Sequence, residues 1–220
     1  MMQDVRAILL DIEGTTTPIA FVHDVLFSYA REHVREFLAA NSASEDIALL
    51  REEQAVDVKE GRNPPPDLAA YVEWLISLDR KSTGLKSLQG KIWRQGYIEG
   101  TLKSQVFADV TPAFARWREQ GLRISIFSSG SVLAQQLLFA HTEAGDLTPF
   151  IDSYFDTTVG KKGEAESYRK IAEAMGLKPE EILFISDVVA ELDAARQTGM
   201  KTLLSIREQH PSIRSFDEVF

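Results

Sequence analysis

Three short apolar runs in this chain end abruptly in small or acidic residues, and this pattern constrains the fold more than any other feature. They read AILLDIEG, LRISIFSSG and EILFISD. Runs of this length, apolar at consecutive positions, are typical of strands that are buried on both faces, as in a parallel sheet covered by helices. Two weaker strand candidates are SYFDTTVG and KTLLSI. The runs therefore predict a buried, parallel sheet.

Amphipathic helices alternate with these runs. In AESYRKIAEAMG, four apolar side chains fall at i, i+3, i+4 and i+7, which is the spacing of one helix face. They are Tyr168, Ile171, Ala172 and Met175. Gly176 is well placed to end this helix. Alternation of strands and helices predicts an α/β protein with a parallel, Rossmann-like sheet.

The first strand is followed by a long helical segment instead of a single crossover helix. The next convincing strand starts only at Leu122, and residues 20–104 between them read as helices, broken by EGRNPPPD. A parallel crossover needs one helix. We therefore predict a core formed by residues 1–19 and 105–220, with residues 20–104 as an inserted helical cap domain over the carboxyl edge of the sheet. The alternative is an elaborate crossover with no separate fold.

Every chemically distinctive group follows the carboxyl end of a predicted strand, where open α/β sheets bind their ligands. These groups are Asp11 and Glu13, Ser128, Ser129 and Gly130, Gly160, Lys161 and Lys162, and Asp187 with Glu191 and Asp193. Taken singly, the acids and serines could be turn or helix-cap residues, and the lysines a solvated pair. Their shared position at the strand ends favours one common site.

Residues 11 and 13 are two apart, so their carboxylates leave an extended backbone on the same side and repel each other unless neutralised. Asp187 would add a third carboxylate. Three converging oxygen ligands suit a hard divalent cation, above all Mg²⁺. A lysine and hydroxyl groups beside that cation would suit a phosphoryl group.

Four motifs occur in the order found in the haloacid dehalogenase superfamily of phosphohydrolases, which the chain resembles. They are DIEGTT, ISIFSS, GKKGEAESY and ISDVVAELDAA. Glu13 stands where most phosphatases of that superfamily carry Asp. Together with DIEGTTTPIAFV, FSSGSVLAQQLLF, ESYRKIA and LQGKIW, it makes nearly the whole chain similar to the enolase-phosphatase family of methionine salvage. The tail after SIRE is less similar.

The resemblance implies a bifunctional enzyme. It would enolise 2,3-diketo-5-methylthiopentyl-1-phosphate and then remove phosphate, giving the acireductone 1,2-dihydroxy-3-keto-5-methylthiopentene. Family members use Mg²⁺ and are typically monomers. The rival interpretations are a general sugar-phosphate phosphatase without enolase activity, a dehalogenase, which would have little use for Glu13, and a non-catalytic phosphate-binding module.

The resemblance also implies a role for each site residue. Asp11 would be the nucleophile that forms an aspartyl phosphate, and Glu13 the general acid and then the base. Asp11, Glu13 and Asp187 would hold Mg²⁺, with Glu13 using its side chain or its backbone carbonyl. The metal would offset the repulsion between the nucleophile and an anionic phosphate.

Phosphate contacts would come from Ser128, Ser129 and Lys162. The family pattern favours Lys162 over Lys161, and Glu191 would be an outer acid. Trp93 and Tyr97 lie on a candidate face for the methylthio tail, although aromatic residues in helices are more often core residues. The base for the enolisation step has no assigned residue.

Charge and composition point away from several classes of protein. The net charge is −9, which disfavours binding of nucleic acid through the overall electrostatic field. There are no cysteines, so disulfides and thiolate zinc sites are excluded. No apolar run approaches the length of a bilayer span. We expect a cytoplasmic protein with no membrane partner.

Overall fold

The computed structural model describes residues 4–78, 80, 82–207 and 216, and its core is a five-stranded sheet. All neighbouring strands are parallel, in the order β3-β2-β1-β4-β5. The strands are β1 (Ala7–Leu10), β2 (Arg123–Phe127), β3 (Ser153–Phe155), β4 (Ile182–Ser186) and β5 (Lys201–Leu204). The predicted α/β fold with a parallel sheet is confirmed, and both weaker candidates are strands.

Helices cover the sheet on both faces, as the uninterrupted apolar runs predict. The four residues of β1 are fully buried, and alternate side chains enter different clusters. Ile8 and Leu10 pack in one cluster with Phe114 and Trp117, whereas Ala7 and Leu9 pack in another with aromatic and aliphatic side chains of the opposite face. A strand buried on both faces explains why β1 shows no polar alternation.

Four helices of the core flank these strands in sequence. They are α5 (Val110–Glu119), α6 (Val132–Ala140), α7 (Ala165–Met175) and α8 (Val189–Arg196), accompanied by single 3-10 turns at Thr148–Phe150 and Pro179–Glu181. Helix α7 buries the predicted apolar face and ends at Gly176, which has the left-handed φ of 65° that favours glycine.

The chain divides into two compact units: Met1–Phe21 with Lys103–Phe220, and Val22–Leu102. The second unit is helical, with α1 (Phe27–Ala40), α2 (Glu45–Lys59), α3 (Leu68–Ser77) and α4 (Thr83–Glu99), and a π-helical turn at Phe21–Leu26 leads into α1. It has a hydrophobic cluster of its own, contributed by α1 to α4. The helical unit is therefore a separately packed body.

Polar groups are also buried inside the helical unit. The Asp57 carboxylate is fully buried and accepts hydrogen bonds from the Tyr71 hydroxyl at 2.8 Å and from Arg62 and Arg80. Trp93 is also buried, and its indole nitrogen donates to the Leu26 carbonyl at 2.8 Å. Tyr97, one turn further along α4, is buried as well, with 4% of its surface exposed. Across the described residues, no helix has the length and hydropathy needed to cross a membrane.

Candidate active site

Asp11 follows the last residue of β1 and lies buried at the carboxyl edge of the sheet, with 4% of its surface exposed. Its Oδ1 accepts the backbone N–H of Ile12 at 2.7 Å. The chain then turns sharply, because the N–H groups of Thr15, Thr16 and Thr17 all donate to the Ile12 carbonyl. The turn fixes the Asp11 carboxylate at the edge of the sheet.

Lys162 brings a buried ammonium group to this carboxylate. Its Nζ lies 2.6 Å from Asp11 Oδ1 and 2.7 Å from Glu191 Oε2, and its side chain is 8% exposed. Burial lowers the pKa of Lys162, but the carboxylates of Asp11 and Glu191 outweigh burial, and the net shift of this pKa is upward. Lys162 is therefore charged at neutral pH.

Gly160 and Tyr168, two positions before and six positions after Lys162, fix the loop that carries it. Gly160 has a φ of 140°, and a Cβ there would lie 2.3 Å from Ser167 Oγ. The Tyr168 hydroxyl donates to the Lys162 carbonyl at 2.7 Å. Lys161, in contrast, is 84% exposed at its side chain and pairs with Glu164 at 3.4 Å. Of the two candidate lysines, the structure brings Lys162 to Asp11.

Ser186, the last residue of β4, lies between the acids. Its Oγ is 3.3 Å from Asp11 Oδ2 and 3.1 Å from Glu191 Oε2, and it accepts the N–H of Val188 at 3.1 Å. Burial and then the charge of Asp11 raise the pKa of Glu191, against the lowering influence of Lys162. Asp11, Lys162, Ser186 and Glu191 thus form one connected polar cluster.

Asp187 faces the same edge and lacks a compensating partner for one of its oxygens. Its backbone N–H donates to Thr15 Oγ1 at 3.1 Å, while its Oδ1 is buried without a hydrogen-bond partner among the described residues. Burial, the Asp11 charge and, to a smaller extent, Glu13 raise the pKa of Asp187 to about 6. A buried acidic oxygen beside a second carboxylate could serve as a ligand for a cation.

The turn approaches Asp187 so closely that only glycine fits at position 14. Gly14 has a φ of 70°, and a Cβ there would lie 2.3 Å from Asp187 Oδ2. Glu13 itself is exposed, and its charge is near enough to contribute to the raised pKa of Asp187. Among the described residues, no three acidic or histidine side chains converge as a metal-binding group. The carboxylates of Asp11 and Asp187 could hold a cation, and its further oxygen ligands could be backbone carbonyls or water.

The predicted phosphate-contacting serines follow β2. The backbone N–H of Ser128 donates to the Phe155 carbonyl at 3.1 Å, and its Oγ accepts the N–H of Gly130 at 3.1 Å. Ser128 and Ser129 are both half-buried. Because the Ser128 oxygen already accepts a hydrogen bond, its own O–H is available to donate to an anion. Ser131 caps α6 through a 3.3 Å bond from the Ala134 N–H.

The haloacid dehalogenase-like hydrolase family matches residues 5–199. Enolase-phosphatase E1 of Synechococcus elongatus is 52% identical, with 98% of each chain covered, and that of Sorangium cellulosum is 48% identical over 97% of each. Among solved structures, the UTR4 protein of Saccharomyces cerevisiae matches with a TM-score of 0.77 and 36% identity, covering 95% of this chain and 93% of that one.

The chain belongs to the haloacid dehalogenase-like hydrolases, in the enolase-phosphatase E1 family. The resemblance indicated by the four motifs is therefore confirmed. In this hydrolase the core unit alone, Met1–Phe21 with Lys103–Phe220, contains the predicted residues Asp11, Lys162 and Asp187.

Two functional contacts of this hydrolase were missed by the sequence analysis. Ser186 stands inside ISDVVAELDAA, directly before Asp187, but a serine at the end of an apolar strand gives no signal of its own. The parallel register of β1 and β4, in which Leu10 is opposite Ile185, could have indicated that Ser186 reaches Asp11. Thr15 likewise gives no signal of its own, because it is one of three consecutive threonines.

Proposed function

We propose that this protein is an Mg²⁺-dependent enolase-phosphatase of methionine salvage that converts 2,3-diketo-5-methylthiopentyl-1-phosphate to the acireductone 1,2-dihydroxy-3-keto-5-methylthiopentene and phosphate. The observation that carries this proposal is the buried Asp11 carboxylate, held 2.6 Å from the Lys162 ammonium and adjoining Asp187, in a chain that belongs to the enolase-phosphatase E1 family.

The phosphatase step uses Asp11 as the nucleophile. Its carboxylate attacks phosphorus, a new bond forms between the carboxylate oxygen and phosphorus, and the ester bond to the substrate oxygen breaks. Glu13 gives a proton to the leaving oxygen and then takes one from the water that hydrolyses the aspartyl phosphate. Its side chain is exposed, so a substrate and solvent water have access to it, as both roles require.

Lys162 has two tasks. Its charge holds the Asp11 carboxylate in place, and it balances the charge that develops on the phosphoryl oxygens during transfer. The hydroxyl groups of Ser128 and Ser129 donate to the same oxygens. Glu191 is the outer acid: its Oε2 lies 2.7 Å from Lys162 Nζ, and this second ion pair helps to fix the ammonium group.

Asp11 and Asp187 would hold Mg²⁺, together with the backbone carbonyl of Glu13. The buried Asp187 Oδ1, which has no hydrogen-bond partner in the part of the chain that the structure describes, and the raised pKa of this group fit a hard cation with oxygen ligands. When bound, the cation would supply positive charge that lessens the repulsion between the carboxylates and an anionic phosphate.

The helical unit would act as the cap that selects the substrate, and we place its boundaries at residues 22–102. We assign Trp93 to the packing of this unit rather than to the methylthio site, because it is buried and its indole nitrogen donates to the Leu26 carbonyl, while Tyr97 stays a candidate for that site. We further propose that the enzyme is a cytoplasmic monomer acting on a small phosphorylated diketone.

The decisive experiment follows ultraviolet absorbance and phosphate release from the diketone phosphate in the presence of Mg²⁺. The wild type should release phosphate, and Asp11→Asn should not, while the enol intermediate accumulates in the variant. Asp193→Asn is the matched control, because Asp193 is an exposed acid paired only three residues away with Arg196. This control should retain wild-type rates.

Two results would contradict the proposal. One is phosphate release by Asp11→Asn at the wild-type rate, which would show that Asp11 is not the nucleophile. The other is release from simple sugar phosphates at rates equal to those for the diketone phosphate with no change in absorbance, which would favour a general phosphatase. A folded wild type that releases no phosphate from any ester would favour a binding module.

A further inference from the structure

Arg207 lies beyond β5, in the segment SIRE, and it holds the turn that follows the proposed nucleophile, Asp11. Its Nε and Nη2 both donate to the Thr15 carbonyl, at 3.1 and 2.5 Å. The carbonyls of Thr16 and Thr17 accept backbone N–H groups instead, from Phe107 and Gly14. A side chain 192 positions away in sequence thus donates two hydrogen bonds to the Thr15 carbonyl of this turn.

The guanidinium group is itself fixed from three directions. Its Nη1 lies 2.7 Å from Asp109 Oδ2, and both side chains are about nine-tenths buried, with 7% and 10% exposed. Its Cζ lies over the rings of Phe107 and Phe216, at 4.3 and 4.5 Å from their centroids. An arginine paired with a carboxylate and stacked between two rings has little rotational freedom and presents its remaining donors in one direction.

Other groups of Thr15 contact the segments that carry both acids of the site. Thr15 Oγ1 accepts the backbone N–H of Asp187, and the Thr15 N–H closes the turn on Ile12, whose own N–H binds Asp11 Oδ1. Movement of the Thr15 peptide would therefore shift Asp11 and Asp187 relative to each other.

We propose that Arg207 is a positioning residue for phosphoryl transfer, acting by clamping the Thr15 carbonyl and so setting the separation of the Asp11 and Asp187 carboxylates. This inference rests on the proposed function for its kinetic consequences. It needs no contact between Arg207 and the substrate. Loss of the clamp lowers kcat and leaves KM nearly unchanged, because the groups that bind the substrate remain in place.

The test compares Arg207→Ala with Arg116→Ala. Arg116 is the matched control, because its Nη2 donates to the Phe216 carbonyl at 2.6 Å and so anchors the same tail without touching Thr15. For Arg207→Ala we expect kcat for the diketone phosphate to fall about 10- to 100-fold, the usual loss when an outer group that orients a site ligand is removed. KM should change less than about threefold. Arg116→Ala should retain kcat within about threefold.

Two further measurements separate positioning from general loss of structure. Millimolar guanidinium chloride should restore part of the activity of Arg207→Ala and have no effect on Arg116→Ala. Amide hydrogen exchange of residues 11–18 should be faster in Arg207→Ala and unchanged in Arg116→Ala. The exchange measurement needs no turnover, so it still tests the inference if the wild type shows no phosphatase activity, a result that would count against the proposed function alone.

The inference is overturned if folded Arg207→Ala keeps the wild-type kcat, or if Arg116→Ala loses as much activity and protection as Arg207→Ala. Should Arg207→Ala fail to fold, Arg207→Lys takes its place. Its single ammonium group keeps the charge but cannot bind Thr15 and Asp109 as a fork, so we expect an intermediate loss of kcat. A folded Arg207→Lys with wild-type kcat and wild-type exchange would also overturn the inference.

Discussion

Replacing Lys162 by methionine should destabilise the core unit strongly and in a pH-dependent manner. Methionine keeps an apolar stem of similar length and removes only the ammonium group. In the wild type this group lies 2.6 and 2.7 Å from two carboxylates, and its side chain is 8% exposed. Removing one partner of a buried ion pair costs about 3–5 kcal/mol. For a chain of this size we expect the thermal midpoint to fall by about 6–20 °C.

The dependence on pH follows from Glu191. Burial and Asp11 raise its pKa, whereas Lys162 opposes that rise, so the pKa of Glu191 should increase further in the variant. A carboxyl group whose pKa is higher in the folded state than in the unfolded state binds more protons when folded. The stability it contributes is present at low pH and is lost as pH rises through the folded-state pKa. The difference in thermal midpoint between the wild type and Lys162→Met should therefore grow between pH 5 and pH 8.

The assay is thermal unfolding, followed by near-ultraviolet circular dichroism in a chelating buffer so that no bound cation contributes. Lys161→Met is the control, because the Lys161 side chain is 84% exposed and exposed ion pairs contribute little. Its midpoint should stay close to that of the wild type at every pH. A Lys162→Met midpoint within about 3 °C of the wild type at pH 8, or a deficit that does not change with pH, would refute the reasoning.

Three further outcomes are expected. Asp187→Asn should abolish phosphate release yet raise the thermal midpoint at pH 8 in chelating buffer, because the pKa of Asp187 is raised to about 6 and burial disfavours its ionised form. This gain in midpoint should vanish near pH 4, and a gain that persists there would contradict the prediction. Gly14→Ala should lower the thermal midpoint well below that of Gly121→Ala. Both glycines have a positive φ, but of the two only Gly14 has a neighbour that an added Cβ would meet, Asp187 Oδ2 at 2.3 Å. Equal midpoints of the two variants would contradict this. Asp57→Asn should destabilise the helical unit by about 3–5 kcal/mol, because it removes one partner of a buried ion pair. The measurement is amide hydrogen exchange of α2 and α3, with Asp67→Asn as a control at an exposed acid, and unchanged exchange in Asp57→Asn would contradict this.

The fold could be predicted from the sequence because burial leaves a continuous apolar signal. All of Ala7–Leu10 and Ile182–Ser186 is buried, and both segments appear in the sequence as unbroken runs leading to an acid. Strands β3 and β5 gave weaker signals for a physical reason. They lie at the two edges of the sheet, their residues are mostly half-buried, and β3 is three residues long. An edge strand needs fewer apolar side chains and is harder to distinguish from a loop.

The convergence of Asp11, Lys162 and Asp187 was also predictable, because the carboxyl ends of parallel strands share one edge. What the pattern could not supply is the direction of individual side chains in the loops. Lys161 and Lys162 are adjacent, yet one pairs with Glu164 at the surface while the other is buried against Asp11. That difference depends on Gly160 and on the Tyr168 hydroxyl, which fix the loop from the two ends of the motif GKKGEAESY.

The register of β1 shows why the remainder of the site could not be derived locally. In a strand, a slip of one residue turns every side chain to the opposite face and would place Ile12 where Asp11 now lies. Usually the alternation of apolar and polar residues prevents such a slip, but β1 is apolar on both faces and contains no alternation. Its register must be set by contacts beyond the strand, and the structure supplies them in the turn at residues 12–17. Thr15 receives the Asp187 N–H and the Arg207 guanidinium, from two segments that follow it by more than 170 residues. The position of the nucleophile is therefore determined by long-range polar contacts, which leave no periodic pattern in the sequence.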